Sequence, residues 1–590
     1  MAAPRIIVVG GGLAGLSAVI KIAEAGGSVD LFSIVPVKRS HSVCAQGGIN
    51  AAKNLKGEGD TTWKHFDDTI YGGDFLANQT PVKLMCEAAP AIIDLLDRMG
   101  VPFNRTPEGL LDFRRFGGTL YNRTAFAGAT TGQQLLYALD EQVRRYESEG
   151  KVKKYEGWEF LSAVIDSKGV ARGITALDLR TMELKSFPAG AVILATGGIG
   201  AIFGKSTNSV VCTGSAQSAV FQQGVYYANG EFIQVHPTCI PGEDKLRLMS
   251  ESARGEGGRV WVPRTAGDKR LGKQIPEAER FYFLEEWYPK YGNLVPRDIA
   301  TRAIHKVVYE NHLGIDGQPM VYLDLTHIDR ATLDRKLGGI LDIYEKFVGD
   351  DPHEVPMKIF PGMHYTMGGV WVDFNQMTNI PGIYAIGECD YQYHGANRLG
   401  ANSLLSCIYA GFVSGPHALN YVKSLTAAEG DGGHAAEVTR QAEINDKLLK
   451  NEGAENPFKL WRELGDTMTK HATVIRYNKG LKQADEKIVE LMDRYKNVSL
   501  ADRSQWANTS FAFARQLKNM LELARVVAQG ALLRDESRGA HYKPDFPERN
   551  DERFLKTTKA SFTNSGPRFE YEEVDTQFIQ PRRRSYDAAN

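Results

Sequence analysis

Glycines and a histidine near the N-terminus are the first residues whose types and spacing could do chemistry. A G-x-G-x-x-G pattern is formed by Gly10, Gly12 and Gly15. Such glycines permit a tight turn and a close approach of the backbone to a pyrophosphate at a helix N-terminus. Shortly afterwards the stretch RSHSVCAQGGIN, residues 39–50, places His41 ahead of a Gly-Gly pair. A nucleotide-binding loop does not itself require a histidine, so the role of His41 has to be sought in the rest of the chain.

Apolar runs predict the elements that position these residues. RIIVV at 5–9 predicts a buried strand before the glycines, and Leu13 to Ala25 have the apolar spacing of a helix after them. Similar strands are predicted at 28–33, 189–200 and 382–388. Strands that are apolar on both faces indicate a parallel sheet covered by helices. Because these strands lie far apart in the sequence, other structure must be inserted between them.

Composition limits the class of protein. A chain of 590 residues is too long for a single core and predicts about two to four domains. With 70 Lys and Arg against 71 Asp and Glu, it has no excess of positive charge that would bind nucleic acid. The six cysteines are scattered with no CxxC pattern, which argues against a disulfide framework, a zinc site or a bound iron–sulfur cluster. No metal site is predicted.

The apolar run at the N-terminus predicts neither a signal peptide nor a membrane span. The run from Ile6 to Ile20 resembles a short signal peptide, but GGG at 10–12 would interrupt an apolar helix, and 28–32 continues as a second strand. No uncharged apolar run approaches the roughly 20 residues that span a bilayer. We therefore expect a soluble, unprocessed chain.

Two later stretches resemble the remaining cofactor signatures of flavoproteins that contain two dinucleotide-binding motifs. ATGG at 195–198 and GE at 387–388 correspond to the second and third signatures, and Glu388 would take the ribose-binding role for the flavin half. The second strand departs from the usual pattern, because Ser33 occupies the place of the Asp or Glu that contacts a ribose. A hydroxyl still hydrogen-bonds a ribose, although less strongly than a carboxylate. FAD is therefore the predicted cofactor.

Seven motifs resemble the flavoprotein subunit of succinate dehydrogenases and fumarate reductases. They are RSHSVCAQGGI, HPT, SESARGEGG, PRDIATR, HYTMGG, HGANRLGANSL and RDESRGAHYKPDFPERND. The match extends from residue 5 to about residue 584 and covers nearly the whole chain. In that family the histidine of the first motif is the covalent attachment point of the flavin, and His41 occupies its position. The resemblance implies that His41 tethers FAD and raises its reduction potential, as the oxidation of a saturated acid requires.

The resemblance and the signatures together imply the residues that bind FAD. They are Gly10, Gly11, Gly12, Leu13, Ala14, Gly15, Ser33, His41, Ser42, Gln46, Gly47, Gly48, Ala195, Thr196, Gly197, Gly198, Glu388, Arg398, Ser403 and Leu404.

The resemblance also implies a pocket for succinate or fumarate. A four-carbon dicarboxylate has an anion at each end, so its site needs two polar clamps around an apolar middle. His364 and Arg398 correspond to the family's ligands for one carboxylate, and His236 with Ser250 to those for the other. Ser250 stands where many relatives have Thr, and it keeps the hydroxyl. The full predicted set is His236, Leu248, Ser250, Glu251, His364, Arg398, Phe116 and Gly47.

Arg297, in PRDIATR, matches the family's proton donor and acceptor. Interconversion of a CH2–CH2 unit and an alkene moves a hydride, which flavin N5 handles, and a proton on the adjacent carbon. Guanidinium almost never loses its proton in proteins, so Arg297 needs prompt reprotonation. Glu251 and Arg254, in SESARGEGG, resemble the relay that supplies it. We expect the proton to pass from Glu251 through Arg254 to Arg297.

The predicted fold is an α/β, Rossmann-like FAD-binding domain interrupted by an α+β capping domain and followed by a helical domain and an irregular C-terminal region. The predicted ranges are 1–230 and 353–420 for the FAD-binding domain, 231–352 for the cap, 421–540 for the helical domain and 541–590 for the C-terminal region. The cap is expected to close over the flavin and exclude water during hydride transfer.

The resemblance implies the flavoprotein subunit of a succinate:quinone oxidoreductase, or complex II, which passes electrons to an iron–sulfur subunit. Cytochrome b anchor subunits would hold it peripherally at the cytoplasmic face of a bacterial inner membrane. Three alternatives remain. A fumarate reductase would use the same residues in reverse, an L-aspartate oxidase would lack the tether at His41, and a non-catalytic flavin carrier would have no use for Arg297, His364 and Arg398 together.

Overall fold

A computed structural model describes residues 5–242, 246–315, 317–425 and 432–586. In chain order its strands are β1 (Ile6–Val9), β2 (Val29–Ser33), β3 (Ile49–Asn50), β4 (Phe113–Arg114), β5 (Thr124–Ala125), β6 (Val152–Glu156), β7 (Trp158–Ile165), β8 (Ala171–Asp178), β9 (Leu184–Pro188), β10 (Ala191–Leu194), β11 (Tyr227–Ala228), β12 (Ile233–Ile240), β13 (Arg247–Leu248), β14 (Arg259–Pro263), β15 (Arg280–Phe281), β16 (Val321–Asp324), β17 (Met357–Thr366), β18 (Gly369–Val370), β19 (Ile383–Ala385), β20 (Lys556–Ser561) and β21 (Arg568–Glu573).

The helices follow in the same way. They are α1 (Leu13–Glu24), α2 (Thr62–Gly72), α3 (Gln79–Arg98), α4 (Thr131–Ser148), α5 (Ser215–Gln222), α6 (Ser252–Gly255), α7 (Phe283–Trp287), α8 (Arg297–His305), α9 (Arg330–Val348), α10 (Asn402–Ser424), α11 (His434–Lys450), α12 (Pro457–His471), α13 (Asn478–Tyr495), α14 (Thr509–Leu533) and α15 (Asp551–Phe554). Within the described ranges, every helix falls short of the length and apolarity that a membrane crossing requires.

A five-stranded parallel sheet, in the order β19–β10–β1–β2–β6, carries the glycine turn. Alternate residues of β1 face two different apolar layers, because successive side chains of a strand point to opposite faces. Ile6 and Val8 pack with α1, α4 and α10, whereas Ile7 and Val9 pack with the sheet β7–β8–β9. Both faces are buried, which explains the uninterrupted apolar runs. The parallel sheet predicted from those runs is confirmed.

A six-stranded antiparallel sheet, β13–β12–β17–β16–β14–β15, is inserted into this arrangement and packs against α8 and α9. β12 and β17 form its longest pairing, with His236 opposite Gly362. β17 begins at Met357, so the sheet continues beyond residue 352, where the border of the cap was predicted. The continuation has a simple cause, since β17 supplies the partner of both β12 and β16.

The remaining helices α11 to α14 gather around a separate apolar cluster, as expected of a helical region. The C-terminal region departs from expectation in one respect, because it contains the hairpin β20–β21, which joins β11 and β18 in a four-stranded sheet. β21 is mostly exposed and polar, so its sequence gave no apolar signal. Buried ion pairs fix the segment that precedes the hairpin: Arg534 to Glu231 at 2.7 Å and Arg538 to Glu536 at 2.8 Å.

Candidate active site

A cavity of about 450 Å³ extends from the glycine turn after β1 to the inner face of the antiparallel sheet. Every residue predicted to bind cofactor or substrate, or to carry the proton, lines this cavity except Gly15, Gly198 and Arg254. Those three lie directly behind its wall. A Cβ at Gly15 would be 1.9 Å from the Gly10 carbonyl oxygen, and a Cβ at Gly198 would be 2.3 Å from Oε1 of Glu388. The structure therefore brings the predicted residues together, while their individual roles remain predictions.

The turn between β1 and α1 has the geometry that a pyrophosphate needs. Gly10 has φ of +117°, and a Cβ there would be 2.1 Å from the carbonyl oxygen of Ala195, so only glycine fits. α1 begins at Leu13 after Gly12, which supplies no side-chain cap. The Leu13 amide donates to Oγ of Ser42 at 3.3 Å, a weak contact. The first amides of α1 thus face the cavity, where they suit an anion.

Two polar side chains flank this turn. Glu388 is buried, and its Oε1 accepts a hydrogen bond of 3.1 Å from the Thr366 amide. Burial raises the pKa of Glu388 to about 7. The Ser33 hydroxyl donates to the Val35 carbonyl at 2.6 Å, which leaves its oxygen able to accept a hydrogen bond. The residues present therefore fit the phosphates and hydroxyls of FAD.

His41 begins a short 3-10 turn, His41–Cys44, on the wall of the same cavity. Its Nδ1 accepts a hydrogen bond of 3.2 Å from the Ser209 backbone amide, and its Nε2 lies 3.5 Å from the side-chain Nδ2 of Asn208. Because Nδ1 accepts from a fixed backbone donor, an alkyl substituent on this imidazole would be carried by Nε2. The orientation suits attachment of a flavin through Nε2.

Two histidines meet at the substrate end because β12 and β17 are neighbours. The rings of His236 and His364 are 4.9 Å apart, centroid to centroid. Nδ1 of His236 accepts from the Thr238 amide at 3.2 Å, and Nδ1 of His364 lies 2.8 Å from Oγ1 of Thr207. Burial, assisted by the nearby Arg297, lowers the pKa of both imidazoles well below the usual range. Neutral His236 therefore presents an Nε2–H donor.

Two buried donors at this end have no hydrogen-bond partner among the described residues, namely Nε2 of His236 and Nε of Arg398. The Arg398 guanidinium lies over the Tyr365 ring at 4.5 Å. Burial and the nearby Arg297 lower the pKa of Arg398 to about 9, so it still carries its charge at neutral pH. Unpaired buried donors are costly, and an anionic ligand would satisfy both.

Glu251 joins two arginines in a fully buried chain. Its Oε2 accepts from Nε and Nη2 of Arg297 at 2.9 and 2.7 Å, and its Oε1 accepts from Nη2 of Arg254 at 2.9 Å. Although burial opposes it, these guanidiniums hold the pKa of Glu251 below its usual value. The order is therefore Arg297–Glu251–Arg254. The predicted proton route places Arg254 between Glu251 and Arg297, whereas in the structure Arg297 on α8 contacts Glu251 directly; the route itself stays a prediction.

Other predicted residues form the walls. Phe116 packs against Gly47, where a Cβ would lie 2.6 Å from the ring. The Ser250 hydroxyl is 2.5 Å from that of Ser252. Leu248 lines the cavity from β13.

Sequence reasoning missed Gln234. Its Oε1 accepts from Nη1 of Arg297 at 2.9 Å, and its Nε2 donates to the Arg398 carbonyl at 2.8 Å. One signal was available, since Gln234 precedes His236 by two residues on a strand and so shares its face.

The glycine turn on the parallel sheet and the basic donors beside the inserted antiparallel sheet line one cavity. This combination defines a FAD-dependent oxidoreductase that acts on an anionic substrate. A family model described as FAD binding domain matches residues 5–404, and one described as fumarate reductase flavoprotein C-term matches residues 461–586. The chain belongs to the flavoprotein family of succinate dehydrogenases and fumarate reductases.

Relatives match over the full length. The succinate dehydrogenase flavoprotein subunit of Bacillus subtilis is 63% identical over 591 residues, 99% of each chain. The fumarate reductase flavoprotein subunit of Escherichia coli is 34% identical, covering 98% of this chain and 95% of its own. A solved structure of Escherichia coli quinol fumarate reductase superposes with a TM-score of 0.91 at 31% identity, over 98% of both chains. The family and fold predicted from the motifs are confirmed.

Proposed function

We propose that the chain is the flavoprotein subunit of a succinate dehydrogenase, which oxidises succinate to fumarate. The observation that carries this proposal is the buried chain Arg297–Glu251–Arg254 beside the unpartnered donors of His236 and Arg398, in one cavity with the glycine turn. The identity of 63% to a succinate dehydrogenase subunit, against 34% to a fumarate reductase subunit, favours the oxidative direction. Fumarate reduction by the same residues is the second candidate.

The two ends of the substrate bind to different donors. Arg398 and His364 hold one carboxylate, and His236 with Ser250 holds the other, because these side chains converge on the cavity from β12, β17 and the loop before α10. Phe116 excludes water from the middle of the substrate. The glycine turn, Glu388 and His41 would hold FAD, which supplies hydride acceptance at N5 when bound.

Arg297 moves the proton. As a proton leaves the substrate carbon for Arg297, one of the guanidinium's own protons crosses the 2.7 Å hydrogen bond to Glu251. The two transfers together avoid a free neutral guanidine, which would be strongly unfavourable. Glu251 then passes the proton towards Arg254, whose Nη1 donates to the Asn293 carbonyl at 2.7 Å.

The covalent bond from His41 to the flavin is part of the proposal. Purified protein is denatured in acid, and flavin fluorescence that stays with the polypeptide is measured. His41→Ser should release all flavin on denaturation, retain FAD binding and lose succinate oxidation while keeping fumarate reduction. The matched control is Cys44→Ser, which removes another nucleophile from the same wall and should leave the bond intact. Covalent flavin in His41→Ser would overturn the assignment.

The overall activity is tested with succinate and an artificial electron acceptor. The native protein should oxidise succinate, and other dicarboxylates of similar length should compete with it. A FAD-loaded protein that turns over neither succinate nor fumarate would disprove the proposal. Comparison of the rate of succinate oxidation with the rate of fumarate reduction, at matched driving force, decides between a dehydrogenase and a reductase.

Partners complete the proposed route. The chain has no grouped cysteines for a cluster, so an iron–sulfur subunit would take the electrons and a cytochrome b anchor would hold the complex at the cytoplasmic face of a bacterial membrane. The isolated chain should reduce dyes but not quinone, and addition of both partners should restore quinone reduction. Quinone reduction by the chain alone would contradict this division of labour.

A further inference from the structure

The nucleotide end of the cavity contains a buried acid that the proposed function leaves unused. Glu159, the second residue of β7, lines the cavity and is 4% exposed. Its Oε1 accepts a hydrogen bond of 2.9 Å from Nε2 of Gln516 on α14. Its Oε2 is buried and has no hydrogen-bond partner among the described residues. A buried carboxyl oxygen without a donor is costly, so a ligand that donates to it would be held strongly.

Glu159 lies close to the place where dinucleotide-binding folds usually have an acidic residue that this chain lacks. Dinucleotide-binding folds place an Asp or Glu at the end of the second strand, where it contacts the adenosine ribose, but β2 ends here with Ser33. The start of β7 lies against that end, because the Gly157 amide donates to the Ser33 carbonyl at 2.8 Å. Glu159 follows two residues later. The neighbouring strand therefore supplies a carboxyl group where the second strand lacks one.

We propose that Glu159 is the acidic ligand of the adenosine half of the bound dinucleotide. The inference rests on the proposed function, which supplies FAD as the cofactor. The free oxygen of Glu159 accepts either a ribose hydroxyl or the exocyclic amine of adenine, since both are donors. Trp158 and Phe160 line the same end and provide apolar surface for a base.

The helical region holds this ligand in place. Gln516 and Asn519 lie three residues apart on one face of α14. Gln516 binds Glu159, and Nδ2 of Asn519 donates to Oγ of Ser215 at 2.8 Å, which also lines the cavity. Burial raises the pKa of Glu159 to about 7, against the opposing effect of the Gln516 hydrogen bond and of Arg515. α14 thus orients two polar groups at the nucleotide end.

The test measures nucleotide affinity. The full chain carrying His41→Ser is freed of flavin and titrated with FAD, FMN and ADP. Glu159→Leu should weaken FAD and ADP on the order of 10- to 100-fold, which is the loss expected when a buried donor on the nucleotide is left without its acceptor. FMN lacks the adenosine half and should bind unchanged. The matched control is Glu183→Gln, an exposed acid in the turn between β8 and β9, which should leave all three affinities unchanged.

Further comparisons keep the test decisive. Glu159→Gln preserves the shape and the contact with Gln516, so it should fold and show a smaller loss with the same selectivity for FAD over FMN. Titration with 2′-deoxy-ADP, 3′-deoxy-ADP and inosine diphosphate identifies the donor, because the nucleotide that lacks it should bind parent and Glu159→Leu equally. Equal weakening of FAD and FMN, or unchanged FAD affinity, would overturn the inference. A parent protein that binds neither flavin would instead disprove the proposed function.

Discussion

Replacement of Glu251 by Gln tests the proton route most directly. Glu251 accepts three N–H groups, two from Arg297 and one from Arg254, and its side chain is fully buried. Glutamine keeps one acceptor and turns an amide N–H towards a guanidinium, so two buried cations lose their counter-charge. Loss of one partner of a buried ion pair costs about 3–5 kcal/mol of stability. Loss of a required proton carrier lowers the rate by about 10²–10⁴.

Two assays separate these effects. Steady-state oxidation of succinate with an artificial acceptor should show a lower kcat in Glu251→Gln with KM close to that of the native protein, because the hydrogen bonds of Glu251 go to Arg297 and Arg254 and not to the proposed carboxylate ligands His236 and Arg398. Denaturant unfolding at neutral pH measures the stability loss. Glu256→Gln is the matched control, since Glu256 belongs to the same motif but pairs with the half-exposed Lys336. It should change neither quantity appreciably.

The pH dependence gives an independent check. The pKa of Glu251 in the folded chain lies below its ordinary value of 4.5. Its contribution to stability is therefore fully present above about pH 4.5 and is lost as the pH falls through the lower, folded pKa. The stability difference between the native protein and Glu251→Gln should shrink in acid. A variant with near-native kcat at neutral pH, while still folded and loaded with flavin, would refute the proton route.

Three further substitutions have defined outcomes. Arg398→Met should raise the KM for succinate by about 10- to 100-fold through loss of a charged clamp, measured by steady-state kinetics. Gly10→Ala should abolish flavin binding, because its Cβ would lie 2.1 Å from the Ala195 carbonyl oxygen. Gly26→Ala is the control: Gly26 also has a positive φ, +84°, but its Cβ would have open space, so this variant measures only the cost of the left-handed backbone conformation. In the native protein the free energy of unfolding should fall between about pH 4.5 and 7, because the Glu388 carboxyl ionises at a lower pH in the unfolded chain than in the folded chain, where its pKa is about 7. Glu388→Gln should remove this fall, which denaturant unfolding at several pH values measures.

The fold was predictable where burial leaves a pattern in the sequence. β1, β10 and β19 are apolar on both faces and β2 is mostly apolar, and each was predicted from its composition alone. β21 was not, because its side chains are exposed and polar and resemble those of a loop. The antiparallel sheet runs past residue 352, the predicted border of the cap, and its extent could not be foreseen because pairing of distant strands is not encoded locally.

The candidate site was predictable residue by residue but not in its connections. Motifs gave the members of the cavity, yet Arg297 meets Glu251, 46 positions away in the chain, only after the helix α8 packs against β12. Gln234 and Glu159 carry no motif, and an isolated Gln or Glu on a strand gives no sign of what lies opposite. Such contacts depend on tertiary packing: the strand alternation placed Gln234 on the face of His236, but it did not show which side chains would meet it.

The order of strands in the parallel sheet has a consequence for protein synthesis. β1 precedes the other strands of this sheet in the chain and occupies the middle of the sheet, whereas β19, its edge strand, comprises residues 383–385. Until β19 is made, the nascent chain presents the unpaired, apolar edge of β10, and such edges template aggregation. The last pairing, of β21 with β20, waits for residue 568 and beyond. The strand pairing therefore becomes complete only after β21 is made, and nascent chains shorter than about residue 385 should need a chaperone to remain soluble.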